Sequence, residues 1–131
     1  MRIFSTLSLL GMILIAGCGG AGQTGTNEDI VKERAQSWAD ALLRKDLDSA
    51  FALTSPTYRE FAKPGHYHAR IAGAGNWTTA EVDRVTCEEG FCNVRMVVEY
   101  EIKHMQVKNR RPLDYRWAEV DGEWWLYVPT R

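Results

Sequence analysis

A change of hydrophobic period midway along the chain constrains its fold more than any other feature. From Cys92 to Ile102, the residues Cys92, Val94, Met96, Val98, Tyr100 and Ile102 alternate with Asn93, Arg95, Val97, Glu99 and Glu101. A period of two marks a strand with one buried face. Upstream the period is that of a helix. Val31, Ala35, Trp38 and Leu42 follow at spacings of four, three and four, with Ile30, Ala39 and Leu43 widening the stripe. Lys32, Glu33, Arg34, Gln36 and Asp40 fall on the opposite side and are expected to face solvent.

The helical half carries its own start signals. Thr26 or Asn27 can cap the first helix, and Glu28 and Asp29 suit its positive end. Asp46 reads as the cap of a second short helix. Ser55-Pro56 opens a third, with Pro at the first helical position. Lys63-Pro64-Gly65 predicts a break, and His66 to Ile71 a further helical turn before Gly73-Ala74-Gly75.

The strand half predicts hairpins. Glu81 to Cys87 is expected to precede the long strand. Leu113 to Val120 and Glu123 to Val128 flank Asp121-Gly122, a strong two-residue turn signal. Counting outward pairs Glu119 with Trp124, Trp117 with Leu126, and Tyr115 with Val128. Ala118, Trp125, Arg116 and Tyr127 then fall on the other face, partly exposed or covered elsewhere. Asn109 to Pro112 reads as a projecting hairpin loop. His104 reads as an inner or rim residue beside a bulge.

A turn at Glu89-Gly90 makes Glu88 and Phe91 the closing pair, and Cys87 and Cys92 the next, non-hydrogen-bonded one. Their Cα atoms then approach closely enough for a cross-strand disulfide. Such a bond requires an oxidising compartment, and the N-terminus points to one. Arg2 is followed by an apolar run from Ile3 to Ala16, short for a permanent span, ending in Ile15-Ala16-Gly17-Cys18. This segment resembles a bacterial lipoprotein signal with its lipobox. The resemblance implies cleavage before Cys18, lipidation of its thiol and a membrane anchor there. Gly19 is not the Asp that retains such lipoproteins at the inner membrane. In a Gram-negative cell the resemblance therefore implies the outer membrane, facing the periplasm. The Gly-rich stretch that follows, uncharged and without bulky apolar groups, is a flexible tether reaching about 16 Å. The expected organisation is a signal peptide over 1–17, a lipidated Cys and tether over 18–26, and one domain over 27–131. Helices followed by long antiparallel strands make that domain α+β.

The stretch from Ala35 to Tyr58, with Trp38, Asp46, Ala50 and Phe51, resembles the opening of the NTF2-like (SnoaL-like, cystatin-like) superfamily. The ending from Val120 to Leu126, a turn followed by Trp124 and Trp125, resembles its final hairpin. The resemblance spans about residues 28–128. It implies N-terminal helices packed on a curved antiparallel sheet, forming a cone that often encloses a pocket. Members include enzymes and many non-enzymatic domains, so the fold alone carries no function.

No catalytic set of that superfamily matches residue by residue. An acid/base mechanism would draw on His66, His68, Asp83 or Tyr58, with Tyr67 and His104 also present. His66 and His68 point apart on a helix, which disfavours a joint metal site, and no metal or cofactor is expected. The chain's five Trp and five Tyr can line a cone or fill it. Trp38, Trp117 and Trp124 lie on core positions, whereas Trp77 and Trp125 are free to make surface contacts. Lys108, Arg110 and Arg111 lie in a basic run, a candidate contact for an anionic envelope component or a protein partner. A nucleic-acid partner is not expected. Beyond the signal, 15 basic side chains face 17 acidic ones, since Arg2 is the only charge before Glu28. Asn76-Trp77-Thr78 matches a glycosylation sequon that a bacterial lipoprotein leaves bare. The chain has no P-loop, Rossmann glycines, nucleophile elbow or zinc spacing.

Two functional readings result. One is an envelope lipoprotein whose domain is a non-catalytic ligand-binding or interaction module. The other is a small-molecule acid/base enzyme of isomerase or dehydratase type. The state of the cone interior separates them.

Overall fold

The computed structural model describes residues 25–130. The signal segment, Cys18 and most of the tether lie outside the described residues. Helix α1 (Asn27–Leu43) begins at a capping box. Asp29 N–H donates to the Thr26 hydroxyl at 3.2 Å, and the Asp29 carboxylate accepts from Thr26 N–H at 3.3 Å. The expected stripe of Val31, Ala35, Trp38 and Leu42 is buried, joined by Ala39 and Ala41. Lys45 turns the chain at φ 64°, and Asp46 caps α2 (Leu47–Ala52) by accepting from Ser49 N–H. Ser55 caps α3 (Pro56–Phe61) in the same way. Lys63-Pro64-Gly65 ends α3 but does not leave a gap. Pro64 occupies the first turn of α4 (Pro64–Arg70), where its missing N–H costs nothing. A 3₁₀ turn over Ala72–Asn76 leads into the sheet.

The sheet is an antiparallel meander of β1 (Trp77–Glu88), β2 (Phe91–Ile102), β3 (Val107–Val120) and β4 (Glu123–Leu126), in that spatial order. The two turns read from sequence form as expected. Cys87 pairs with Cys92 and Glu88 with Phe91, and the two cysteines are disulfide-bonded. Asp121 and Gly122 take φ 53° and 79°, the mirror-image turn that matches strand twist. Glu119 then faces Trp124, and Trp117 faces Leu126.

Other expectations need correction. The strand expected from Glu81 starts earlier, at Trp77. The basic loop expected at Asn109 to Pro112 is strand, paired with Val97 to Tyr100. The turn lies at Lys103 to Gln106 instead, with Gln106 at φ 52° and exposed His104 within it. His104 is neither an inner residue nor a bulge. Strand β4 stops at Leu126, so Tyr115 and Val128 do not pair.

Gln36, expected to face solvent, fastens α1 to the sheet. Its side-chain N–H donates to the Ala80 carbonyl at 3.0 Å, and its oxygen accepts from Val82 N–H at 3.0 Å. The β1 register shifts between Val82 and Arg84 at this point, so Asp83 is the extra residue of a bulge. The free edge of β4 is covered by the α2–α3 junction. Leu126 N–H donates to the Leu53 carbonyl, and Ser55 N–H donates to the Leu126 carbonyl. Trp125 lies on the face of β4 opposite Trp124 and Leu126. There the guanidinium groups of Arg34 and Arg59 stack on its indole at 4.8 and 5.0 Å.

Candidate functional site

The helices do not fill the concave side of the sheet. A cavity of about 420 Å³ remains between α1, α4, the 3₁₀ turn and strands β1 to β3, closed at one side by the segment after β4. That volume lies in the range of small-molecule sites. Leu42, Ile71, Val98, Leu113 and Leu126 supply an apolar lining. Trp38 and Trp77 form aromatic walls, with ring centres 6.3 Å apart and nearly perpendicular planes. On the sheet side the lining reaches the start of β1, where Trp77 pairs with Tyr100.

Four tyrosines line this space, Tyr67, Tyr100, Tyr115 and Tyr127, and two of them, Tyr67 and Tyr115, contact Trp38. Tyr67 comes from α4, packed edge-on against Tyr58 and at a tilt against Phe51. Its hydroxyl accepts from the Trp38 indole N–H at 2.6 Å in a buried hydrogen bond. Tyr115 comes from β3 and packs edge-on against Trp38 at 4.8 Å. Burial pushes both phenols up to about 12, against the Trp38 hydrogen bond at Tyr67 and the pull of Arg111 at Tyr115. Both therefore remain protonated donors across the physiological range. Arg70 and Arg111 also line the cavity, from α4 and β3. No carboxylate or imidazole belongs to this lining.

Of the acid/base candidates read from sequence, Tyr67 lines this cavity, whereas Tyr58, His66, His68, Asp83 and His104 do not. Tyr58 is buried, but in the aromatic cluster behind Tyr67. His66 is exposed on α4. His68 is half-buried on α4, outside the cavity lining, and its buried Nε2 lies 3.7 Å from Asp48 Oδ1, too far for a hydrogen bond. Asp83 is exposed at the β1 bulge, on the side of the sheet where Arg95 and Asp114 form a two-contact ion pair. Strand alternation also divides the basic run. Arg111 faces the cavity beside Leu113 and Tyr115, whereas Lys108 and Arg110 face outward, opposite Glu101 and Glu99. The sequence reading missed Tyr115 and Tyr100 as lining residues. Their signal was the same parity that placed Val98 and Trp117 inward. Among the described residues, no three His, Cys, Asp or Glu side chains come together to hold a metal ion. No helix there is long and apolar enough to cross a membrane.

No protein-family model matches the chain, and no curated protein matches it. Solved structures do. A SEC-C motif containing protein from Psychrobacter arcticus superposes with a TM-score of 0.61 at 11% identity, covering 82% of this chain and 64% of that one. A protein termed an NTF2-like transpeptidase, from Campylobacter jejuni, superposes at 0.54 and 13% identity, over 80% of this chain and 100% of its own. A ketosteroid isomerase-like protein from Erwinia carotovora atroseptica superposes at 0.53 and 12% identity, over 78% and 92%. Likeness at these identities concerns architecture, and the architecture is the NTF2-like α+β fold.

Proposed function

We propose that this chain is a lipoprotein of the bacterial cell envelope, anchored through Cys18, whose NTF2-like domain holds a small, largely apolar molecule without transforming it. The cavity carries this reading. It has the volume, the apolar walls and the few polar groups of a ligand site. The acid/base alternative fares worse on the same residues. General base catalysis near neutral pH needs a group that releases its proton there. The ionisable lining groups are tyrosines, with Tyr67 and Tyr115 held at about 12, and arginines. Lys108 and Arg110, exposed on the outer face of β3, remain the proposed contact for an anionic envelope component or protein partner.

Ligand binding is tested by adding bulk to the cavity lining. Gly73 lines it, and a Cβ added there meets nothing within 4 Å. Gly73→Phe should thus add a ring at the exposed part of the lining with no clash at Cβ. In the full chain, 2-naphthamide and 2-naphthoate are used as aromatic probes. At least one should quench tryptophan fluorescence saturably, with one site per chain, and Gly73→Phe should abolish that site while leaving the melting temperature unchanged. Absence of saturable binding, or binding indifferent to Gly73→Phe, refutes the ligand reading. Anchoring is tested separately. Cys18→Ser should leave an unprocessed precursor that takes up no labelled palmitate, and normal processing refutes it.

A further inference from the structure

The polar groups of the cavity are not balanced between donors and acceptors. Tyr67 already accepts from Trp38, at 2.6 Å. That contact occupies a lone pair on its oxygen and leaves its own proton to be donated elsewhere. Tyr115 brings a second hydroxyl from the opposite wall. Arg111, on the same face of β3 as Leu113 and Tyr115, adds a guanidinium, which donates and never accepts. Among the described residues Arg111 forms no ion pair. No side chain with a carboxylate, amide or imidazole lines the space to complement these donors.

We infer that the ligand is an aromatic or otherwise flat apolar molecule bearing a carboxylate or similar anionic group, its body against the aromatic wall that Trp38 and Trp77 form together and its anionic end received by Arg111 and the Tyr115 hydroxyl. This rests on the reading of the cavity as a ligand site and specifies the ligand's chemistry. An uncharged hydrocarbon would leave the phenolic protons unpaired in an apolar environment, which is costly. A cation would meet Arg111 directly. An anionic oxygen accepts from both kinds of donor, and charge-assisted hydrogen bonds of this sort are the stronger class. The aromatic preference follows from the walls. Two indoles packed edge to face on each other make a continuous aromatic surface along the lining, against which a flat ring can pack.

The two naphthalene probes differ only at the group in question. The 2-naphthoate carries a carboxylate, and 2-naphthamide carries a neutral isostere of it. In the full chain 2-naphthoate should bind about tenfold more tightly, the increment of one charge-assisted contact. Arg111→Gln should erase that preference, lowering 2-naphthoate affinity by more than it lowers 2-naphthamide affinity. Arg110→Gln removes the same charge one residue away, on the outer face of the strand, and should leave the preference intact. Equal affinities for the two probes, or tighter binding of the amide, overturn the anionic ligand while preserving the cavity as a binding site. Loss of the preference in Arg110→Gln as well as Arg111→Gln overturns it too, since net charge rather than the cavity would then be responsible. Failure of both probes to bind a folded chain removes the ligand reading and this inference together.

Discussion

The indole N–H of Trp38 donates to the hydroxyl of Tyr67 at 2.6 Å, in the interior of the domain and across 29 residues of sequence. This contact ties α1 to α4, and so fixes two of the cavity's walls relative to each other. Trp38 is 1% exposed, and so is Tyr67. Neither group can exchange its partner for water.

Tyr67→Phe should therefore be more harmful than its small change in volume suggests. It leaves the Trp38 N–H buried without an acceptor, at a cost of about 1–3 kcal/mol. Urea unfolding of Tyr67→Phe, Trp38→Phe and the double variant measures the coupling. The double variant should be more stable than the sum of the singles predicts, by about 1 kcal/mol. Simple additivity would show that the two side chains contribute independently.

Gln36 presents a similar case on the sheet side. Gln36→Ala strips partners from both Val82 N–H and the Ala80 carbonyl, and should cost about 1–3 kcal/mol. Gln36→Glu keeps the acceptor for Val82 but turns a carboxylate oxygen toward the Ala80 carbonyl and the Asp40 carboxylate, both of which accept from the Gln36 amide at 3.0 Å, so it should cost at least as much. Amide exchange at Val82 should accelerate in the alanine variant and stay slow in the glutamate one. Equal protection in all three proteins would mean that the bulge holds itself.

How much of this was readable beforehand depended on what each residue's neighbours advertise. The pairing of Cys87 with Cys92, and of Trp117 with Leu126, followed from parity and a short turn, because one face of each strand is buried there. The same parity leaves no apolar pattern from Val107 to Pro112, where every residue is exposed and the one that turns to the cavity lining is a charged one, Arg111. Gln106 completes the turn with a positive φ without being glycine, so the hairpin carries no turn signature and seemed to lie further on. Gln36 looked like a surface residue because its partner is a bulge, which leaves no trace in hydrophobic pattern. The His candidates attracted notice by chemical type. The cavity is instead built from tyrosines and arginines, whose role depends on which way α4 and β3 face one another.

The disulfide makes a more modest contribution. Cys87 and Cys92 close a loop spanning five positions of sequence, so the chain-entropy gain is about 2 kcal/mol. Cys87→Ala with Cys92→Ala should lower stability by that amount and keep the fold, because the β1–β2 ladder extends along β2 from Phe91 to Tyr100. Reduction should act alike. A reduced protein that loses its sheet circular dichroism altogether would show that the bond specifies the fold rather than reinforcing it.

Alkaline pH should destabilise the domain through Tyr67 and Tyr115. Each phenol is raised from an ordinary value of 10.0 to about 12, with burial the leading cause in both. Below pH 10 both folded and unfolded chains hold these protons, and their contribution to stability is fully present. Between pH 10 and 12 the unfolded chain releases them while the folded chain retains them, so ionisation draws the equilibrium toward unfolding. The loss per tyrosine is on the order of 2 kcal/mol across that window. Unfolding free energies measured through the window should fall less steeply in Tyr67→Phe and in Tyr115→Phe than in the parent. The tyrosinate absorbance of the folded parent should show late-titrating steps that each substitution removes in turn. Identical pH slopes in all three proteins would mean that these hydroxyls are already open to water, and that the cavity is wetter than its lining implies.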